Sequence, residues 1–381
     1  MKMSDNSSLV KKIHASPLQL VIYMTGGGSR LVSDLLNEPG ASRTVLEASI
    51  PYSGASLRNL LGSRNDPPCD SHTARAMAMA ALWRAQTLAT DSPPTDSSLI
   101  GIGCTAALAT DRIRKGSHRA HLAIQTIEAT HTASLTLEKG KRTRIEEENL
   151  VADMILDLLG QTAHVLEPPR VELTAQDRVQ HVLTTAPELW RDLFSQTRQS
   201  VYLSAQPTTG LPKAIFPGAF DPLHRGHERM AEFARQRLGS SIDFEISVIN
   251  VDKPMLDYTT LVQRVSQFSD QQGLWLTRAP TFVEKAKLFP GVVFVVGVDT
   301  VIRIGDARYY GNNPLLCCEA ISQLTESGCR FLVFGRIDEQ RFQTLSKSNL
   351  PESLRQICDE VSEDRFREDV SSTGIRAGTV R

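Results

Sequence analysis

His224 and His227 stand three residues apart in the stretch Ala214-Ile-Phe-Pro-Gly-Ala-Phe-Asp-Pro-Leu-His-Arg-Gly-His-Glu-Arg-Met230. The stretch reads as a short apolar strand, a glycine-proline turn and the opening of an amphipathic helix. A strand that feeds a helix through a tight turn leaves the helix's first N–H groups unpaired. It also sets the positive end of the helix dipole at the sheet edge, where a phosphate can sit. Residues three apart on a helix share a face, so the two imidazoles lie on the same side of it.

Such a turn needs a sheet to hold it. Apolar runs predict strands at Lys213 to Phe216, Phe244 to Val251, Leu274 to Arg278, Val292 to Val298 and Arg330 to Gly335. Helical spacing falls between them, at about His224 to Leu238, Tyr258 to Phe268, Phe282 to Leu288 and Leu315 to Glu326. Strands alternating with helices of crossover length predict a doubly wound parallel sheet. Ligands bind such sheets beyond the carboxyl ends of the strands, where the strand order reverses. Two glycine-marked strand ends are candidates for that crevice: Pro217-Gly218, and Gly297-Val-Asp299. Asp299 could hold ribose hydroxyls or cap a helix; Lys253 in Val-Asp-Lys-Pro and Arg336 after the fifth strand could meet phosphate or solvent.

With 381 residues the chain is too long for one ordinary core and predicts two domains. Forty-two basic residues against forty-three acidic ones give a net charge of -1, which argues against nucleic-acid and membrane-surface partners and for small ligands. Six cysteines without paired metal spacing or scaffold density suit a reducing compartment, with Cys317-Cys318 in a helix core. Met1 to Ser16 lacks an apolar core segment and no run of 18 apolar residues occurs, so a cytoplasmic protein with a loose first dozen residues is expected.

The first half also alternates. Leu18 to Tyr23 predicts a strand, followed by Thr25-Gly-Gly-Gly-Ser29 and a helical spacing over Leu31, Val32, Leu35 and Leu36. The glycine run is an anion cradle or merely a tight turn, and no Gly-Lys-Ser/Thr makes it a Walker loop. Thr44 to Pro51 predicts a strand, Ser71 to Leu88 an Ala- and Met-rich helix, and Leu99 to Cys104 a buried strand. Strands are expected again at Leu122 to Ile127 and Ala133 to Leu137, then a helix from Ile145 to Leu159 capped by Gly160. His118 and His121 read as solvated strand-edge residues rather than a metal pair. Leu166 to Pro212 predicts a helical bridge, with helices around Val182, Leu183, Leu189, Trp190 and Phe194.

Residues 17–162 resemble the C-terminal domain of the competence-damage-inducible CinA family, which includes nicotinamide-nucleotide amidases. The resemblance is carried by Thr25-Gly26-Gly27, Pro39-Gly40-Ala41-Ser42, Tyr52-Ser53, Gly101-Ile-Gly103 and the basic stretch Lys139 to Arg144. The family's Glu-Ser-Cys is replaced by Ile22, Tyr23 and Met24, and the lysine after its Tyr-Ser falls on Leu57. Since the nucleophile itself is missing, a structural, oligomerising or ligand-sensing domain without that amidase activity is expected.

Gly218-x-Phe-Asp-Pro-x-His-x-Gly-His227 resembles the phosphate-binding signature of the nucleotidylyltransferase superfamily. Val370-Ser-Ser-Thr-Gly-Ile-Arg376 is similar to the second signature of nicotinamide and nicotinate mononucleotide adenylyltransferases. The resemblance implies a site in which His224 and His227 donate to the phosphates of ATP and Arg376 supplies a guanidinium fork. It also implies nucleotide or substrate contacts from Gly218, Ala219, Phe220, Asp221, Gly226, Lys253, Gly297, Asp299, Ser371, Ser372 and Thr373, with no resident metal and with magnesium arriving on ATP. The chain ends five residues after Arg376, short of the further helix such enzymes carry.

The expectation is therefore an α/β protein with three parts. Residues 17–165 form a CinA-like domain, 166–212 a bridge, and 213–381 a Rossmann-like nucleotidylyltransferase domain. Adenylyl transfer needs positioning and cations aimed at the departing pyrophosphate rather than an enzyme nucleophile. The expected activity moves AMP from ATP to a mononucleotide, with possible homo-oligomers through the first domain. Alternatives are a non-catalytic nucleotide sensor or scaffold, phosphopantetheine adenylyl or cytidylyl transfer, and residual amidase activity.

Overall fold

The computed structural model describes residues 6–89, 98–112, 115–165, 167–205, 210–251, 254–338, 341–370 and 372–376. The chain divides into two compact units, residues 1–195 with 252–260, and residues 196–251 with 261–381.

The first unit is a mixed six-stranded sheet of β1 (Gln19–Thr25), β2 (Val45–Ser49), β3 (Leu99–Ala107), β4 (His118–Gln125), β5 (Ala129–Leu137) and β6 (Arg178–Thr185). Its order is β2-β1-β3-β4-β5-β6. β1 runs parallel to β2 and β3, and the remaining pairs are antiparallel. Its helices are α1 (Ser7–Ala15), α2 (Arg30–Asn37), α3 (Ala41–Thr44), α4 (Gly54–Leu61), α5 (Ser71–Leu88), α6 (Arg144–Thr162) and α7 (Glu188–Phe194). α1, α2 and α6 cover one face of the sheet, while α4 and α5 cover the other.

The alanines of α5 have a geometric reason. A Cβ on Gly101 would lie 2.1 Å from the Ala78 carbonyl oxygen, and one on Gly103 would lie 2.1 Å from that of Ala74. Helix and strand therefore meet backbone to backbone, which only small residues permit. α5 begins with the Asp70 carboxylate accepting from the Thr73 N–H at 2.8 Å, and α6 begins with a capping box of Thr143 and Glu146.

Three expectations are corrected here. The first dozen residues are not loose throughout: α1 buries Leu9, Val10 and Ile13 in the core, each contributing about 1.5–3 kcal/mol. Gly160 lies inside α6 against Leu9 rather than capping the helix, and Ala163 is the C-cap. The segment 166–212 is not a helical bridge. Val182 and Leu183 belong to β6, α7 is the one helix among its described residues, and β7 (Ser200–Leu203) joins the second sheet.

That second sheet has seven strands. β8 (Ala214–Pro217), β9 (Asp243–Ser247), β10 (Leu274–Thr277), β11 (Val293–Gly297) and β12 (Arg330–Phe334) follow β7; beyond a hairpin of β13 (Arg336–Asp338) and β14 (Arg341–Gln343) comes β15 (Cys358–Val361). The order is β15-β12-β11-β8-β9-β10-β7, with all neighbours parallel except β7. Counting the parallel strands from β8, this is the doubly wound order 3-2-1-4-5-6, and it reverses between β8 and β11. Helices α8 (Arg225–Leu238), α9 (Tyr258–Val265), α10 (Phe282–Leu288), α11 (Val298–Ile304), α12 (Pro314–Glu326), α13 (Glu352–Gln356) and α14 (Ser372–Arg376) accompany these strands. No helix among the described residues is long and apolar enough to cross a membrane.

Candidate nucleotide site

The switch point falls between the two glycine-marked strand ends. β8 leads into the turn before α8, and β11 leads into α11, whose N-cap is Gly297. The turn is fastened from several directions. The Gly218 N–H donates to the Glu245 carbonyl at 2.9 Å. Gln267 donates to the Phe220 carbonyl at 2.8 Å and accepts from the Leu223 N–H at 2.8 Å. A side chain on Gly218 would meet the Phe220 ring at 2.7 Å, so glycine here makes room for that ring.

Phe220 supports the site rather than lining it. The side chain is 1% exposed, with its ring packed on Phe216, Phe244, Phe268 and His227. It therefore fixes the His227 ring from below, while Ala219 and Asp221 are exposed on the turn.

The two histidines meet as cap and first turn. His224 is the extended N-cap of α8 and His227 reaches back from the third helical position, its Nδ1 accepting the His224 N–H at 3.2 Å. The rings stack at 3.7 Å. Because Nδ1 of His227 accepts, Nε2 carries the proton of the neutral ring and is left as a donor. Burial, with added repulsion from His224 and Arg336, pushes His227 down to about 3. His224 is also lowered, by burial and then by Arg336, with Glu368 and Glu228 acting against this. Its Nδ1 is buried without a hydrogen-bond partner in the protein, a group that a ligand can satisfy.

The second sequence motif arrives at the same turn. Ser372 Oγ donates to the Pro222 carbonyl at 3.0 Å, and Arg376 bonds both the Asp221 carbonyl and, at 3.4 Å, its carboxylate. Gly226, Gly218, Asp221, both histidines, Ser372 and Arg376 are thus brought together. Thr373 lies on the backbone of α14, whereas Lys253 and Ser371 fall outside the described residues. Asp299 is in the first turn of α11 and binds Arg336 at 3.2 Å.

Sequence reasoning left Arg336 undecided and missed Gln267, Glu368 and the Glu245–Lys285 pair. Arg336 begins β13 two residues past the end of β12, and its charge acts on both histidines. Lys285 donates to both oxygens of the buried Glu245 carboxylate, at 2.6 and 2.7 Å, and Thr277 joins at 2.5 Å. A polar residue inside a strand pattern was the available signal for this pair.

In the first unit, the positions singled out by the amidase resemblance are engaged within the protein. The Ser29 N–H and hydroxyl both donate to the Glu148 carboxylate, so the protein's own anion occupies this part of the glycine cradle. The Tyr23 hydroxyl donates to Glu47 at 3.1 Å; burial and Glu47 push it up to about 12, which keeps it protonated. Leu57 is core. His118 is buried against Glu147 at 2.6 Å rather than solvated at an edge, and His121 bonds Ser134 at 2.9 Å.

The chain is similar to the competence/damage inducible protein CihA of Agrobacterium tumefaciens, at 18% identity over 42% of this chain and 96% of that one, with a TM-score of 0.33. CinA superfamily proteins of Escherichia coli and Enterobacter cloacae are similar too. The first has 16% identity over 42% and 94% of the two chains with a TM-score of 0.34, the second 15% over 41% and 91% with 0.33. A comparison with curated proteins gives no match. Residues 215–378 match the cytidylyltransferase-like family, the span that holds both histidines, the switch point and the second motif. This part of the chain is therefore a cytidylyltransferase-like domain, of the nucleotidyltransferase class of enzymes.

Proposed function

We propose that the protein transfers the AMP moiety of ATP to a pyridine mononucleotide, nicotinamide or nicotinate mononucleotide, and releases pyrophosphate. The observation that carries the reading is the meeting of two motifs about 140 residues apart in sequence, with Ser372 and Arg376 bonded to the turn that presents His224 and His227. The acceptor phosphate oxygen attacks the α-phosphorus, the bond to the β-phosphate oxygen breaks, and the electron pair leaves with pyrophosphate. Nε2–H of His227 and the guanidinium groups of Arg336 and Arg376 would stabilise the charge as it moves. Magnesium belongs to the substrate, carried as the chelate of the triphosphate.

The pyridine acceptor is supported by the resemblance of Ser371 to Arg376 to the second signature of such adenylyltransferases. The test is a panel in which ATP or CTP, with magnesium, is paired with each mononucleotide and with phosphopantetheine, and products are identified by mass. ATP with one pyridine mononucleotide should give the dinucleotide; product only from CTP or from phosphopantetheine would overturn the assignment.

A further inference from the structure

Glu368 lies in the irregular segment ahead of the second motif, yet its side chain is only 7% exposed. It accepts from Arg225 at 3.0 Å and also from Arg229, one turn further along α8. A Cβ on Gly226 would lie 3.2 Å from Glu368 Cγ, so the glycine between the histidines also admits this side chain. Two residues earlier, Phe366 stands under the Arg229 guanidinium at 5.6 Å and meets Phe233 and Phe334 edge-on. The chain is thereby docked on α8 just before Ser372 and Arg376. α14, with five residues, is too short to order itself by its own hydrogen bonds.

We infer that Glu368 is a positioning residue of the nucleotide site: by bridging Arg225 and Arg229 it seats the segment carrying Ser372 and Arg376 over the turn that carries His224 and His227. The inference rests on the nucleotidyl-transfer reading of that site. Loss of the bridge leaves Arg376 present but no longer held in register, so nucleotide binding weakens while the groups that touch substrate remain. Glu368 and Glu228 favour the protonated His224 ring, against its burial and the charge of Arg336.

The experiment compares wild type with Glu368→Ala, Glu368→Gln and Glu368→Asp, measuring KM for the triphosphate, kcat, and the titration of His224 by NMR. Glu368→Ala should raise KM about tenfold, as expected for the loss of charge-assisted hydrogen bonds, with a smaller change in kcat. Glu368→Asp should recover part of that loss. Glu368→Gln, close in shape, should lower the pH at which His224 titrates. Wild-type KM in Glu368→Ala, or an unmoved His224 titration in Glu368→Gln, would overturn the inference. Absence of turnover in wild type would instead refute the transferase reading, and the His224 titration would still decide the placement of Glu368.

Discussion

His227 in the proposed reaction donates a hydrogen bond to an anion while its ring stays uncharged in a buried place. Its Nδ1 is occupied by the His224 N–H, so the donor is Nε2, and burial holds the ring neutral well below its ordinary range. The same arrangement makes stability depend on pH. An unfolded histidine titrates near 6.5, whereas folded His227 lies at about 3, so between these values the unfolded chain binds a proton that the folded one does not. This contribution to stability is complete above about pH 6.5 and is lost as pH falls toward 3. Tm should accordingly fall more steeply with acid in wild type than in His227→Gln, and equal slopes in the two would contradict the assigned environment. The histidines and Arg376 stand out in the sequence because each belongs to a short motif that resembles a known signature. Glu368 and Gln267 do not, because they act through contacts between segments distant in sequence.

Among the elements of the first unit, α5 and β3 meet backbone to backbone. Gly103→Ala would place a methyl 2.1 Å from the Ala74 carbonyl oxygen and 2.5 Å from the Ala78 nitrogen, both rigid backbone atoms. The helix must then shift, at a cost of about 1–3 kcal/mol. A fall in the denaturation midpoint should report this, and an unchanged midpoint would show that α5 does not pack so closely. In the second unit, Lys285→Met would strand the buried Glu245 carboxylate, whose own backbone carbonyl holds the turn before α8. Breaking such a pair from one side costs about 3–5 kcal/mol, readable by urea unfolding; a loss under 1 kcal/mol would contradict its burial.

Helices and strands with a strong periodic pattern, such as α5, α10 and β8, were legible to within a residue or so. β6 was not, since it is an edge strand with most side chains exposed and therefore has no alternation to read. α1 was missed for a different reason: a nine-residue helix is marginal alone and is made stable by burying Leu9, Val10 and Ile13.

At the scale of the molecule, one sheet brings His224, His227, Ser372 and Arg376 together at its switch point, while in the other Tyr23 stands where a nucleophile is expected and Glu148 binds Ser29 in the glycine turn. The family match puts nucleotidyltransferase chemistry in residues 215–378, and the near-zero net charge suits the proposed small phosphorylated substrate, bound by local cations rather than by a general basic field. The central claim is that a nucleotidyl transfer takes place at His224 and His227. It is tested most directly by pyrophosphate release from ATP, magnesium and a pyridine mononucleotide, measured for wild type beside His227→Ala. Wild type should release pyrophosphate and His227→Ala should be slower by about 10²–10³, the usual effect of removing a donor aimed at developing charge. No release by wild type, or equal rates in the two proteins, would contradict the account.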